Sequence, residues 1–257
     1  MSHLDRIERL LELQGSHPIE RALLEGAIEV YEPHQTATAG CNSTFYVEIE
    51  PDLVAFHKPH DGIVPRIARD YGHSLDTPAV CECAAWQLAK SLGEPYDRLV
   101  AVTVYRAAGP PDEDPKSWSY GSLALKHEGV SFRGARVTRE ARDDALAAGF
   151  LDALIGNQDR HAGQFRWDDV NGRLGLLDHG FSFPVEGSLC RGAYFQQFRR
   201  RKHPQITDAE RELLGRLLDD GELFGLAGIL EPDRAERLRW RAQRMLDLGV
   251  VLLKGVV

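Results

Sequence analysis

The spacing of apolar residues predicts a chain that starts with a helix, passes through strands and returns to helices. Residues 2–14 place Leu4, Ile7, Leu10 and Leu11 at helical intervals and predict an amphipathic helix. Alternating β-branched and aromatic residues predict strands over 27–31 and 44–50, separated by the small, polar run HQTATAGCNS. A third strand is expected over 53–57, leading into Lys58, Pro59 and a His-Asp-Gly turn. Residues 77–92 predict a helix with Thr77 as N-cap, Pro78 at the first helical position and Gly93 as its stop. Further strands are expected over 99–105 and 121–126, on either side of the acidic, proline-rich loop AAGPPDEDPKSWS. A helix over 138–155, capped by Thr138, precedes the polar loop GNQDRHAGQ. FRWDDVNGRLGLLDHG then predicts a hairpin with an Asn171-Gly172 turn. From Thr207 onward the pattern is helical, with a break at Glu231-Pro232.

This order divides the chain into a β-rich part, 1–125, and an α-rich part, 126–257. The expected architecture is α+β and two-lobed, and the cleft between two such lobes is a natural ligand site. Hydrophobic residues make up 43% of the 257, enough for a sizeable core, and a net charge of −8 gives no dominant basic face for nucleic acid. The basic run Arg191, Arg199, Arg200, Arg201 and Lys202 reads as a solvated helix face. Four cysteines, Cys41, Cys81, Cys83 and Cys190, are too few for a disulfide framework and lack zinc-site spacing. No apolar run is long enough to span a membrane, and the N-terminus lacks the pattern of a signal peptide, so a cytoplasmic location is expected.

The candidate chemistry lies in two short segments, Asn157-Gln-Asp-Arg-His161 and Leu176-Leu-Asp-His-Gly180. Phosphoryl transfer needs an acid near the attacking oxygen, oxygen ligands for magnesium and a cation on the phosphates. Asp159 follows a helix, with Gln164 five residues on; Asp178 follows a hairpin strand and precedes His179 and Gly180. Lys58, at the end of the third strand, supplies the cation, and Glu82 on the next helix is its expected partner. Other features read as structural. His57 and His60 are expected to be solvated or hydrogen-bonded rather than a metal pair, and Trp86, Trp118, Trp167 and Trp240 to lie in the core or at an interface.

Four segments in this order, AGCNSTFYVEI, VAFHKPHDG, AVCECAAWQLAKSLG and GNQDRHAGQF with LLDHGFSF, resemble the bacterial proteins related to phosphatidylinositol 3- and 4-kinases and to HipA-type kinases. The resemblance spans about residues 25–185. It implies a protein-kinase-like fold that binds ATP and Mg2+, with Lys58 on the phosphates, Glu82 as its partner, and Asn42 and Ser43 in the covering turn. It also implies Asp159 as base or hydroxyl orienter, Arg160 and His161 as loop support with His161 able to act in catalysis, and Asp178 as metal ligand. Leu125 and Lys126 would offer backbone groups near the adenine. The chain departs from that pattern at Gln164, where the family has asparagine, at the covering turn, which has only Gly40, and at Cys81, where the family has arginine. Gln164 reaches from a longer stem, so Asp178 is the principal expected ligand and Gln164 the weaker. The implied activity is transfer of phosphate to a hydroxyl of a protein or small molecule. The alternatives are a nucleotide-binding pseudokinase, favoured by Gln164, and an AMP transferase.

Overall fold

The computed structural model describes residues 2–34, 42–131, 141–185 and 192–252. Gly40, Cys41, Thr138, Cys190 and Arg191 fall outside them. The chain opens with two helices, α1 (His3–Leu13) and α2 (Pro18–Glu25), each started by a capping box, Ser2 with Asp5 and His17 with Glu20. Only part of the α1 apolar stripe faces inward: Leu10 is fully buried, whereas Leu4 and Leu11 point to solvent.

A five-stranded antiparallel sheet follows, in the order β1-β2-β3-β5-β4, from β1 (Ile28–Pro33), β2 (Phe45–Ile49), β3 (Leu53–Pro59), β4 (Thr103–Ala108) and β5 (Ser119–Leu125). Between β3 and β4 lie α3 (Pro65–Asp70), α4 (Thr77–Leu92) and the short α5 (Tyr96–Leu99). Leu99 therefore ends a helix, and β4 begins only at Thr103. The N-cap of α4 is Asp76 rather than Thr77; Thr77 is the first helical residue, and its hydroxyl accepts from the Ser74 amide at 3.1 Å. Side chains alternate between the sheet's two faces. Ala55 and His57 are buried on one face of β3, and Lys58 projects to the other, toward α4.

The second half contains β6 (Val130–Ser131), α6 (Arg142–Ile155), β7 (Asp159–Arg160), the hairpin β8 (Phe165–Asp168) and β9 (Arg173–Leu176), β10 (Gly192–Ala193), and helices α7 (Tyr194–Lys202), α8 (Asp208–Asp219) and α9 (Pro232–Leu248). α6 starts after Ala141, without a side-chain cap. The β8–β9 connection is four residues, 169–172, with Gly172 at φ +63°, a conformation glycine tolerates. Within the basic run, Arg199 is buried and pairs with Glu210 at 2.7 Å, while Arg200, Arg201 and Lys202 are exposed.

One apolar core runs through both halves. It takes Val47, Ile49, Ala55 and Leu123 from the sheet, Trp86 and Leu88 from α4, Phe150 and Leu151 from α6, and Leu238 and Met245 from α9. Fourteen of the sixteen residues of α4 are buried. The buried Glu20 of α2 accepts from Trp86 Nε1 at 2.6 Å, Gln87 Nε2 at 3.2 Å and Lys90 Nζ at 2.8 Å, which fixes the helix from its far side. No helix is long and apolar enough to cross a membrane among the described residues.

Candidate active site

Lys58 reaches the site because β3 ends there and its alternation turns the side chain toward α4. Its ammonium donates to Glu82 Oε1 and, at 2.8 Å, to Asp178 Oδ1. Burial opposes the charge on Lys58, but Asp178 and Glu82 outweigh it and hold the ammonium above the ordinary lysine range. Burial also opposes the charge on Glu82; Lys58 and hydrogen bonding with His179 prevail and hold the carboxyl well below its ordinary range. The second oxygen of Glu82 accepts from the His179 amide at 2.9 Å, so one helix carboxylate fixes both the lysine and the segment after Asp178.

Asp178 has φ +59°, left-handed backbone that aspartate tolerates better than most residues. The turn follows directly on β9: the Leu177 amide donates to the Gln164 carbonyl at 2.9 Å, and the chain then reverses at Asp178. Gly180 serves close packing, since a Cβ there would sit 3.2 Å from Pro78 Cβ at the start of α4.

Gln164 joins the two acidic residues. Its Nε2 donates to Asp159 Oδ2 and to Asp178 Oδ2, each at 3.1 Å, while its buried Oε1 has no partner among the described residues. Hydrogen bonds thus link Glu82, Lys58, Asp178, Gln164 and Asp159 in one chain, drawn from β3, α4, β7 and the loops that follow β7 and β9. Arg160 stands behind it, fully buried. It donates to Asp152 at 3.0–3.3 Å, to the Gln164 carbonyl at 2.9 Å and to the Leu177 carbonyl, tying both acidic loops together. His161 is exposed and outside this network; its Nδ1 accepts from the Gly163 amide at 3.1 Å.

Asn42 bridges to Ile63, and Ser43 lies at the rim of a cavity with Tyr31, Phe45 and Trp118. The Leu125 amide donates to the Val102 carbonyl at 2.9 Å and the Lys126 amide to the Val54 carbonyl at 2.8 Å, so both donors are used within the fold. His57 and His60 do not converge. His57 Nδ1 meets the Tyr31 hydroxyl at 3.0 Å, and His60 Nδ1 meets that of Tyr105 at 3.3 Å.

The sequence reading missed several supporting residues. Asp152 is the lone carboxylate in the apolar run of α6, a signal that could have been used. Asn157 Oδ1 accepts the Asp159 amide at 3.0 Å, and Gln196 Nε2 donates to the Asp152 carbonyl at 2.8 Å. The bond between Gln196 and α6 spans 44 residues, and nothing local marks it.

Among the described residues, no cluster of three or more His, Cys, Asp or Glu could hold a metal ion by itself. Magnesium is commonly held by one or two carboxylates completed by substrate phosphates. Asp178, Asp159 and the unpartnered Gln164 Oε1 are hard oxygen donors of the kind it requires, so these residues fit an ion that arrives with a nucleotide.

The sequence matches no known protein family and no curated protein. Among solved structures, the chain is similar to the Golgi casein kinase, with TM-score 0.56 and 16% identity over 95% of this chain and 78% of that one. The fold is kinase-like. A second structure, the Rv3197–erythromycin complex from Mycobacterium tuberculosis, aligns at TM-score 0.33 with 13% identity over 94% of this chain and 78% of that one, too low to bear on the fold. The kinase-like fold gives the linked residues a common setting, with Lys58 and Glu82 from the sheet and its helix facing Asp159, Gln164 and Asp178 from the helical half.

Proposed function

We propose that the chain is an ATP- and magnesium-dependent phosphotransferase of the kind related to phosphatidylinositol 3-/4-kinases and HipA-type kinases, acting on a hydroxyl of a protein or small molecule. One observation carries this reading: a lysine cation and two carboxylates converge from separate elements, with Lys58 bonded to both Glu82 and Asp178. Lys58 has three donors and uses two among the described residues, leaving one for a phosphate oxygen. Asp178 and the side-chain Oε1 of Gln164 would hold magnesium, which when bound neutralises phosphate charge. Asp159 orients the acceptor hydroxyl and takes its proton. Arg160 and Asp152 keep that carboxylate in place through the loop, and His161 at the exposed edge faces an incoming acceptor. Asn42 and Ser43 approach the phosphates from the β1–β2 connection. Leu125 contributes to the adenine side through its carbonyl, since its amide is engaged and its side chain shares the face of Ala55.

A second reading, a nucleotide-binding regulator without turnover, draws on Gln164. Its amide nitrogen already bridges the two carboxylates, so they are satisfied without a metal. Two measurements test the proposal. ATP should raise the melting temperature more with Mg2+ than with EDTA, and Asp178→Ala should abolish that increment while Gln164→Ala only reduces it. Intact-mass analysis after incubation with Mg-ATP, alone and with candidate acceptors, distinguishes phosphate transfer from AMP transfer. An unchanged Mg2+ increment in Asp178→Ala would remove the metal site and the phosphotransferase reading with it.

A further inference from the structure

The loop between β4 and β5 closes over the sheet face opposite Lys58 and leaves a cavity of about 410 Å3. That size lies within the range of small-ligand pockets. Its floor is the stacked pair Tyr31 and Phe45, with ring centroids 4.6 Å apart and planes within 18°. The Tyr31 hydroxyl meets His57, the residue before Lys58, which places this floor on the other side of the sheet from the candidate active site.

The far wall is Trp118, and it is preformed. Its indole N–H donates to the Pro110 carbonyl at 3.0 Å, and its ring lies so close to Gly109 that a Cβ there would sit 2.4 Å from Trp118 Cδ1. Two carboxylates, Asp61 and Glu113, stand at the solvent edge, and no lysine, arginine or histidine is among the described residues lining the space. Neither acid forms an ion pair among the described residues; Glu113 accepts only the Ser117 hydroxyl, at 3.3 Å. Burial and the negative charge of Asp61 push the Tyr31 hydroxyl up from its ordinary range, so its ring remains neutral.

Aromatic faces carry partial negative charge, and uncompensated carboxylates at their rim add to that field. We infer that this cavity binds an organic cation, a guanidinium or alkylammonium group on a flexible stem, whose charge meets Asp61 and Glu113 while its stem and cationic face lie against Tyr31, Phe45 and Trp118. An arginine or lysine side chain of a polypeptide and a free amine both carry this chemistry. Of the residues assigned to the nucleotide, Ser43 alone also lines this cavity; Asp61, Glu113 and the aromatic walls take no part in the proposed phosphotransfer, so this inference stands apart from it.

The test uses the full chain and NMR. The Trp118 indole N–H resonance, assigned by its loss in Trp118→Phe, reports occupancy. N-acetyl-arginine methylamide should shift it saturably with millimolar affinity, and the neutral citrulline analogue of the same shape should not. Asp61→Asn with Glu113→Gln should weaken arginine binding about tenfold, and added salt should weaken it further in the parent chain. Both residues are exposed, so the double variant should keep its melting temperature and any nucleotide-induced shift. Agmatine binding as tightly as an acetylated Gly-Arg-Gly amide would identify a free amine as the ligand; tighter tripeptide binding would identify a polypeptide. Either result upholds the cation site. Equal shifts from citrulline and arginine, or unchanged arginine affinity in the double variant, would overturn it.

Discussion

Replacing Asp152 by leucine tests how the loop carrying Asp159 is held. Asp152 and Arg160 are both fully buried and share three contacts of 3.0–3.3 Å. Removing one partner of a buried pair strands the other charge and costs about 3–5 kcal/mol. In a chain of this size that lowers Tm by roughly 6–20 °C. Arg160→Met strands Asp152 and also orphans the Leu177 carbonyl, adding about 1–3 kcal/mol, whereas the Gln164 carbonyl loses Arg160 but keeps the Leu177 amide. The double variant Asp152→Leu/Arg160→Met has no stranded charge and loses mainly those carbonyl contacts. Its cost should therefore fall short of the sum of the two single variants by at least about 3 kcal/mol. Urea unfolding of the four proteins, with m checked for constancy, measures the cycle. Additivity within about 0.5 kcal/mol would refute the buried ion pair as the support of this loop.

Lys58→Ala should weaken ATP binding and lower turnover by about 10²–10³-fold, read by calorimetry and a turnover assay; full activity would remove Lys58 from the site. Asp159→Asn should leave ATP affinity intact while turnover falls by about 10²–10⁴-fold, since ATP binding does not need the group that orients the acceptor. Affinity lost with turnover per bound ATP unchanged would make Asp159 a binding residue. Burial holds His57, His73 and His127 neutral and pushes them down to about 3, 3 and 4. The unfolded chain binds protons near the ordinary histidine value and the folded chain does not, so stability is greatest above that value and falls as pH drops toward the lowered ones. Between about pH 7.5 and 5.5 each histidine should remove about 1 kcal/mol, visible as a falling urea midpoint, and His57→Gln should flatten the slope.

The sheet was legible because its strands alternate. β2 and β3 fall within two residues of expectation, and the position of Lys58 at the end of β3 follows from that periodicity. α4 was legible from its proline start and glycine stop, though Thr77 looked like a cap because its chemistry suits one; Asp76 holds that position without using its side chain. β4 was misjudged because Leu99 to Val102 are all apolar and include two β-branched valines, while tertiary packing makes the first of them the end of a helix. Asp159, Gln164 and Asp178 could be named from their order, but not the direction of the Gln164 amide between the two acids. The roles of Glu20 and Asp152 were hidden for a different reason. A buried carboxylate is recognised by its partners, and Trp86 lies 66 residues from Glu20.

The enclosure of α4 also bears on how freely the molecule can change state. Turning the helix enough to part Glu82 from Lys58 would pull Trp86, 1% exposed, out of the core and strip Glu20 of the three donors that α4 supplies. Exposing about 200 Å2 of indole alone costs about 5 kcal/mol. That holds the turned conformation to on the order of one molecule in a few thousand. The Lys58–Glu82 contact is therefore a standing part of the resting ensemble, and a signal acting on this chain through helix rotation would have to supply at least that much differential binding energy to be felt.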